Sequence, residues 1–330
     1  MRTLGRSRVS VTALGLGGAP LGNLSEAVDE DTAAGAVRAA WEAGLRLFDT
    51  APHYGLGLSE RRLGRVLADL PREGYTLSTK VGRILEPTPE RARERDDQGF
   101  DVPAAHTRRW DFSADGVRRS LEGSLERLGL DRVDLLLIHD PDDHGRQALE
   151  EAYPALHELR SQGVVGAIGA GMNQAAMLER FATETDVDAL LLAGRHTLIE
   201  QADSLLAACL ERGVSVLAGG VFNSGLLAHD HPPPEATYDY RRAPAGVRER
   251  ALRIAATARR HGVSLPQAAI AFTASHPAVA SVVLGMRTAE QVRRNAALAA
   301  RAVPAALWSE LVEEGLLDPG AVPHNHESTS

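Results

Sequence analysis

The chain has 330 residues, 44% hydrophobic and 24% charged, a balance ordinary for a soluble globular protein and long enough for two domains or one large α/β barrel. A formal charge of -8 leaves no basic surplus to meet phosphates, which speaks against nonspecific nucleic-acid binding. The one cysteine, Cys209 within "SLLAACLERG", excludes an intrachain disulfide and reads as a small buried helical side chain. The N-terminal "MRTLGRSRVSVTALG" has no long apolar core and no stretch approaches membrane-spanning length, so a cytoplasmic location is expected.

In chain order, short apolar runs alternate with amphipathic helical patterns. "TALGLGG" predicts the first strand, and "DEDTAAGAVRAAWEAG", opening on capping acids and closing at Gly44, predicts a helix after it. "LRLFDT" and "YTLSTKVG" are the next strands, followed by a helix from Ser113 to Gly129 and the strand "VDLLLIHD". "EEAYPALHELRSQG" is helical, with Pro154 marking a kink or a late first turn. "VGAIGAG", "ALLLAG", the helix "EQADSLLAACLERG", "VSVLAGG" and "SVVLGM" complete eight strand candidates. Their near-continuous apolar character suits a parallel sheet covered on both faces.

Eight strands, each followed by a helix, predict a (β/α)8 TIM barrel as a single unit over residues 1–318. A loose tail is expected over 319–330, its two histidines solvated. An open doubly wound sheet is the alternative, weakened because no G-x-G-x-x-G follows an early strand; "GLGGAP" is a poor substitute. Two connections are long: Arg83 to Trp110 after the third strand, carrying Phe100, and Val221 to Pro244 after the seventh. As βα loops they belong over the C-terminal face. Each is read as a mobile or substrate-ordered lid, the alternative being a disordered surface excursion.

Residues at the C-terminal ends of barrel strands share one mouth. Asp49 ends the second strand, Lys80 lies late in the third, His139 ends the fourth, and Tyr54 stands in the loop after the second. Singly, each has an ordinary structural explanation: a turn cap, a sheet-end charge, a core histidine, a packing tyrosine. Together they suit proton transfer at a carbonyl or hydroxyl oxygen. A free tyrosine has a pKa near ~10; a neighbouring ammonium is expected to lower it, with a carboxylate holding the lysine charged. "HDPDDH" also raises a metal reading through His139, Asp140 and His144. The paired histidines that barrel hydrolases carry on their first strand are missing, so no metal is expected.

"FDTAPHYGLGLSERRLGRVL" resembles the signature of the aldo-keto reductases, Asp-Thr-Ala-x-x-Tyr-Gly, then Gly-x-Ser-Glu and Leu-Gly. Asp49, Thr50, Ala51, Tyr54, Gly55, Gly57, Ser59, Glu60, Leu63 and Gly64 all fit. "STKVG" supplies that family's lysine as Lys80 and "VDLLLIHDPD" its histidine as His139, and the similarity extends from about Leu14 to Asn295. The resemblance implies hydride transfer between a nicotinamide and a carbonyl carbon. Tyr54 would be the acid in reduction and the base in oxidation, tuned by Lys80 and Asp49, with His139 orienting the substrate oxygen.

It also implies cofactor contacts from Gly18, Asp49, Asn173, Gly220, Phe222, Ser224, Gly285, Met286, Arg287, Gln291 and Asn295. There are departures. Met172 replaces a common serine, Gly219 stands where many members stack a tyrosine, with Phe222 offered as a partial filler, and Ala193 and His196 replace a glutamine and a tyrosine. Gly285 and Gln291 stand where NADPH-selective members carry a lysine and an arginine. The expected cofactor is therefore NAD or either dinucleotide, with NADP open and Arg287 and Arg294 nearby.

"VGRIL", "IGAGMNQ", "LLAGRHTLIEQ" and "GGVFNSGLLA" resemble the branch of the family that oxidises the anomeric hydroxyl of cyclic aldoses such as L-fucose or L-galactose to lactones. Enzymes that oxidise the cyclic hemiacetal of pyridoxal are similar too. On that resemblance His53, Tyr54, Trp110 and His139 are the substrate contacts, with His144 and the His196 region as further candidates. A small sugar or hemiacetal is then the expected partner. A general aldehyde or ketone reductase of the same family remains an alternative. So does a nicotinamide-binding regulatory subunit, which would turn over slowly.

Overall fold

A computed structural model describes residues 1–323. The strands are β1 (Leu14–Gly17), β2 (Leu47–Asp49), β3 (Thr76–Val81), β4 (Leu135–His139), β5 (Ala167–Met172), β6 (Ala189–Ala193), β7 (Ser215–Gly219) and β8 (Val279–Gly285). They run parallel and close into one barrel in chain order, as the alternation predicted. In the β1–β2–β3 register Asp49 stands between Gly17 and Ser78, at the C-terminal rim.

The surrounding helices are α1 (Glu30–Glu42), α2 (Leu58–Leu67), α3 (Ala114–Leu128), α4 (Tyr153–Ser161), α5 (Ala175–Glu184), α6 (Asp203–Arg212), α7 (Ala245–Arg260), α8 (Leu265–Ser275), α9 (Ala289–Ala299) and α10 (Ala305–Glu313). Capping fixes several starts. Asp29 accepts from the Thr32 N–H at α1, and Ser113 from Gly116 at α3, each satisfying an amide that a helix start leaves free. A wider π-helical turn (Ala148–Ala152) runs directly into α4, and its looser bonding accommodates Pro154, which has no N–H to donate. One helix per strand proves too simple: α7 and α8 both lie between β7 and β8, and α10 follows α9.

The barrel's N-terminal end is closed by a small antiparallel ribbon, Arg2–Thr3 with Ser10–Val11. Val11 of the ribbon and the adjoining Leu4 are fully buried in an inner core with Leu47, Leu135, Leu137, Leu191 and Leu217. The sequence reading did not anticipate this plug.

Neither long connection is an irregular excursion. In the first, Arg83–Pro87 pairs antiparallel with His106–Trp110. Its outer part folds back so that Phe100 and Val102 pack with Leu56 and Tyr54. The Arg108 and Asp96 side chains, 3% and 4% exposed, pin the excursion internally. In the second, Thr237–Tyr238 pairs with Arg241–Arg242 around a turn at Asp239 and Tyr240. Arg195 holds Asp239 at 2.9 Å.

The tail expected to be loose begins with structure. Pro319–Ala321 forms a turn capped by Asp318, and Ala321 and Val322 pack against the core. Residues 324–330, with both tail histidines, lie outside the described residues. Cys209 is buried, and burial pushes its thiol up to about 12. Among the described residues no helix is long and apolar enough to cross a membrane.

Candidate active site

Asp49 is the last residue of β2 and Lys80 the fifth of β3, so adjacent strands present them side by side. The Lys80 Nζ donates to both Asp49 carboxylate oxygens, at 2.9 and 2.7 Å, and to the Thr50 carbonyl at 2.9 Å. The Ser78 hydroxyl donates to Asp49 Oδ1 at 2.6 Å. Both members of the ion pair are almost fully buried. A buried ion pair needs this kind of saturation to offset its desolvation. Burial penalises the Lys80 ammonium, but Asp49 and Tyr54 outweigh it and its pKa lies above the ordinary value.

Tyr54 is carried to the pair by a tight turn. Gly55 has φ +63°, and a Cβ there would lie 2.2 Å from the Gly22 carbonyl oxygen; one on Gly22 would lie 2.6 Å from Tyr54's own carbonyl carbon. Two glycines face to face thus let the loop after β1 lie directly on the tyrosine's backbone. Lys80 Nζ stands 4.7 Å from the centre of the Tyr54 ring, and the His139 ring lies edge-on to it at 5.8 Å.

Tyr54 is half-buried and its pKa departs from the expectation. Removal of water from around its hydroxyl raises the pKa, and that effect outweighs the pull of Lys80, leaving it at about 12. Asp49 and Asp140 add to the rise. His139 is held well below the ordinary imidazole range, first by burial and then by the Arg83 and Lys80 charges. His53 is driven down to about 2 in the same way. The site therefore holds a charged lysine, a neutral tyrosine and two neutral histidines.

The substrate contacts implied by the resemblance separate into two groups. His53 packs its ring against Tyr54, Phe100 and His139, at 6.1, 5.1 and 5.7 Å between ring centres. Trp110, 41% exposed, instead stacks on Phe112 and faces His144, with the Arg83 guanidinium 4.3 Å from its ring. It reaches the mouth only through Arg83. His196 points away altogether: it is buried against Phe272 and His276, and its carbonyl accepts from Thr273. Packing among α8 side chains, rather than the cavity, is what its sequence position serves.

Beside Tyr54 and Asp49 opens a cavity of about 440 Å³ that runs to the N-terminal end of α9. Gly18, Asn173, Gly220, Phe222 and Ser224 line it, as do Gly285, Arg287, Gln291 and Asn295. Met286 does not; its side chain is fully buried in the core. At the far end Thr288 caps α9, its hydroxyl accepting from the Gln291 N–H at 3.2 Å. The Gln291 carboxamide oxygen in turn accepts from the Arg287 N–H at 2.9 Å. Arg287 ion-pairs with Glu26, and Arg294 also faces the cavity.

Tyr240 lines the cavity as well, supplying an aromatic ring from the ribbon tip while the last position of β7 holds Gly219. Sequence reasoning missed it, though "YDYRR" had marked that loop. The shape suits a dinucleotide: acid–base side chains at one end, arginines and a helix start at the other. Among the described residues no group of three or more His, Cys, Asp or Glu is arranged to hold a metal ion. Asp140 is paired with Arg83, and His144 lies against Trp110 and Phe112.

Comparison with known proteins agrees with this arrangement. Residues 13–313 match the sequence profile of the Aldo/keto reductase family. The chain is 47% identical over 314 residues to the D-threo-aldose 1-dehydrogenase of a Pseudomonas species, covering 94% of this chain and 95% of that one. It is 37% identical to the pyridoxal 4-dehydrogenase of Microbacterium luteolum, covering 96% and 97%. Among solved structures, the glycerol dehydrogenase of Gluconobacter oxydans shares the fold, with a TM-score of 0.76 at 22% identity over 100% of this chain and 98% of that one.

Proposed function

The chain belongs to the aldo/keto reductase family and is an NAD(P)-dependent oxidoreductase, and from that premise we propose that it oxidises the anomeric hydroxyl of a cyclic aldose to a lactone. The observation that carries the mechanism is Tyr54 set between the saturated Lys80–Asp49 pair and His139, at the edge of the long cavity. A nicotinamide bound in the cavity would supply the acceptor for the hydride that leaves the anomeric carbon. Tyr54, in its phenolate form, takes the hydroxyl proton; the C–H electron pair leaves with its hydrogen as hydride, and the C–O bond becomes the lactone carbonyl. Lys80 stabilises the phenolate, Asp49 keeps the ammonium charged and in place, and neutral His139 orients the reacting oxygen by hydrogen bonding.

Asn173, Gly220, Phe222 and Ser224 would hold the nicotinamide half of the cofactor, and Gly285, Arg287, Gln291 and Asn295 the adenosine half. Asp49 and Gly18, joined by a backbone hydrogen bond, would line the cavity at the catalytic end. Gly285 brings no charge to that end, Gln291 is bonded to a backbone amide and Arg287 already has a carboxylate partner. This favours NAD over NADP, because fewer charge-assisted contacts are left for a 2'-phosphate, with Arg294 still facing the cavity at that end. Oxidation of pyridoxal's hemiacetal needs the same residues in the same roles. The 47% identity to an aldose dehydrogenase, against 37% to the pyridoxal enzyme, ranks the sugar first. The whole described chain forms the catalytic unit.

Initial rates of nicotinamide reduction with NAD and NADP against L-fucose, L-galactose, D-arabinose, L-xylose and pyridoxal test the reading. Fast turnover of a sugar with NAD is the expected result; activity on pyridoxal alone moves the substrate to the hemiacetal. Tyr54→Phe should bind cofactor normally and lose at least roughly 10²–10⁴-fold in kcat. Wild-type rates in that variant would remove Tyr54 from the mechanism.

A further inference from the structure

Asp140 follows His139 immediately beyond β4, and the proton chemistry just described has no use for it. Its backbone is left-handed, with φ +41°, a conformation that costs a non-glycine residue energy and persists only where the surroundings impose it. Those surroundings are visible. The Asp140 N–H donates to the Gly171 carbonyl at 3.0 Å, and the carboxylate is gripped by Arg83. Arg83 is itself buried under the Trp110 indole.

The pair is asymmetric. The Arg83 side chain is 7% exposed and that of Asp140 31%, so the carboxylate is the member that meets solvent or a ligand. Asp140 Oδ2 stands 3.4 Å from His139 Nε2. An oxygen hydrogen-bonded to that imidazole therefore lies beside a carboxylate. Such an anion opposes ionisation of Tyr54, and so works against the proposed base. Its placement makes sense if it binds a hydroxyl that the reaction leaves unchanged.

We propose that Asp140 is a specificity-determining residue: its carboxylate, aimed by Arg83, accepts a hydrogen bond from the substrate hydroxyl on the carbon next to the one oxidised. The proposal rests on the aldose reading and extends it to a class, α-hydroxylated substrates over their deoxy counterparts. Arg83 is a positioning residue, and Trp110 acts through it. A hydrogen bond to a charged acceptor corresponds to roughly ten- to hundredfold in affinity.

The test compares kcat and KM for L-fucose and 2-deoxy-L-fucose in the wild type, Asp140→Asn, Arg83→Met and Arg83→Lys. The same comparison is made in the reductive direction with lactaldehyde and propanal. Asparagine tolerates the left-handed backbone, so Asp140→Asn keeps the fold. Asp140→Asn and Arg83→Met should each lower the preference for the hydroxylated partner about tenfold or more, through KM, and Arg83→Lys should recover part of it. An unchanged preference, or equal loss on both partners through kcat, overturns the proposal. Turnover of the aldehydes with none of any aldose would remove the proposed function while the lactaldehyde and propanal pair still decides this one.

Discussion

Crowding around Tyr54 holds its hydroxyl at about 12 even with an ammonium beside it, and this has a kinetic consequence. A neutral phenol is the proton donor for reduction; oxidation needs the phenolate, whose population grows with pH until the pKa is passed. With a raised pKa, the alkaline limb of kcat/KM for oxidation should keep rising through pH ~10, while reduction stays flat or falls there. A pH profile with both directions on one protein checks this, and an oxidation rate that levels off near neutrality would mean a different base. At this scale the sequence was informative about identity and less so about environment. Asp49, Lys80 and His139 could be placed at one mouth from their strand-end positions, and Tyr54 from the loop just beyond Asp49. The direction of the Tyr54 shift was not, because it depends on how much water the folded loop removes.

The ribbon between β3 and α3 shows how an element can complete a site. Its outer strands pair, yet what seats it over the mouth is the small cluster of Phe100 and Val102 against Leu56 and Tyr54. Phe100 is nearly fully buried and its ring lies 5.1 Å from His53. Phe100→Ala should loosen the seat by roughly 3–5 kcal/mol, the usual cost of deleting a buried ring. Hydrogen exchange over 83–110 should speed up, and KM should rise more than kcat falls. Unaltered protection there would mean that polar contacts such as that of Arg108 with the His53 carbonyl seat the ribbon instead. Length and composition could mark this connection as too long for a simple turn; only the folded chain shows that it carries a cluster.

Buried neutral histidines set an acid limit for the whole molecule. His139 is held well below ~6.5 and His196 lies at about 4, both chiefly through burial. Their folded pKa values are depressed, so between those values and ~6.5 the unfolded chain binds the extra protons. Stability is full above pH ~6.5 and falls as the pH drops below it, by on the order of 2 kcal/mol per histidine at pH ~5. Denaturant midpoints from pH 7.5 to 5 should show this slope, and His196→Phe, whose side chain does not line the cavity, should flatten it; an equal slope in that variant would assign the acid loss elsewhere. What the sequence determined by itself was local and periodic: eight apolar runs, the caps and glycines that end the helices, and four chemical groups at strand ends. Alternation specifies a parallel sheet because each strand must be covered on both faces; the count of eight strands and the missing G-x-G-x-x-G pointed to its closure as a barrel. Tertiary structure alone decided which distant side chains meet. The N-terminal plug, the Arg83–Asp140 pair beside His139, Tyr240 over the cavity and the retreat of His196 among α8 side chains are contacts between residues far apart in the chain. They leave no period in the sequence, because they are fixed by the packing of whole elements.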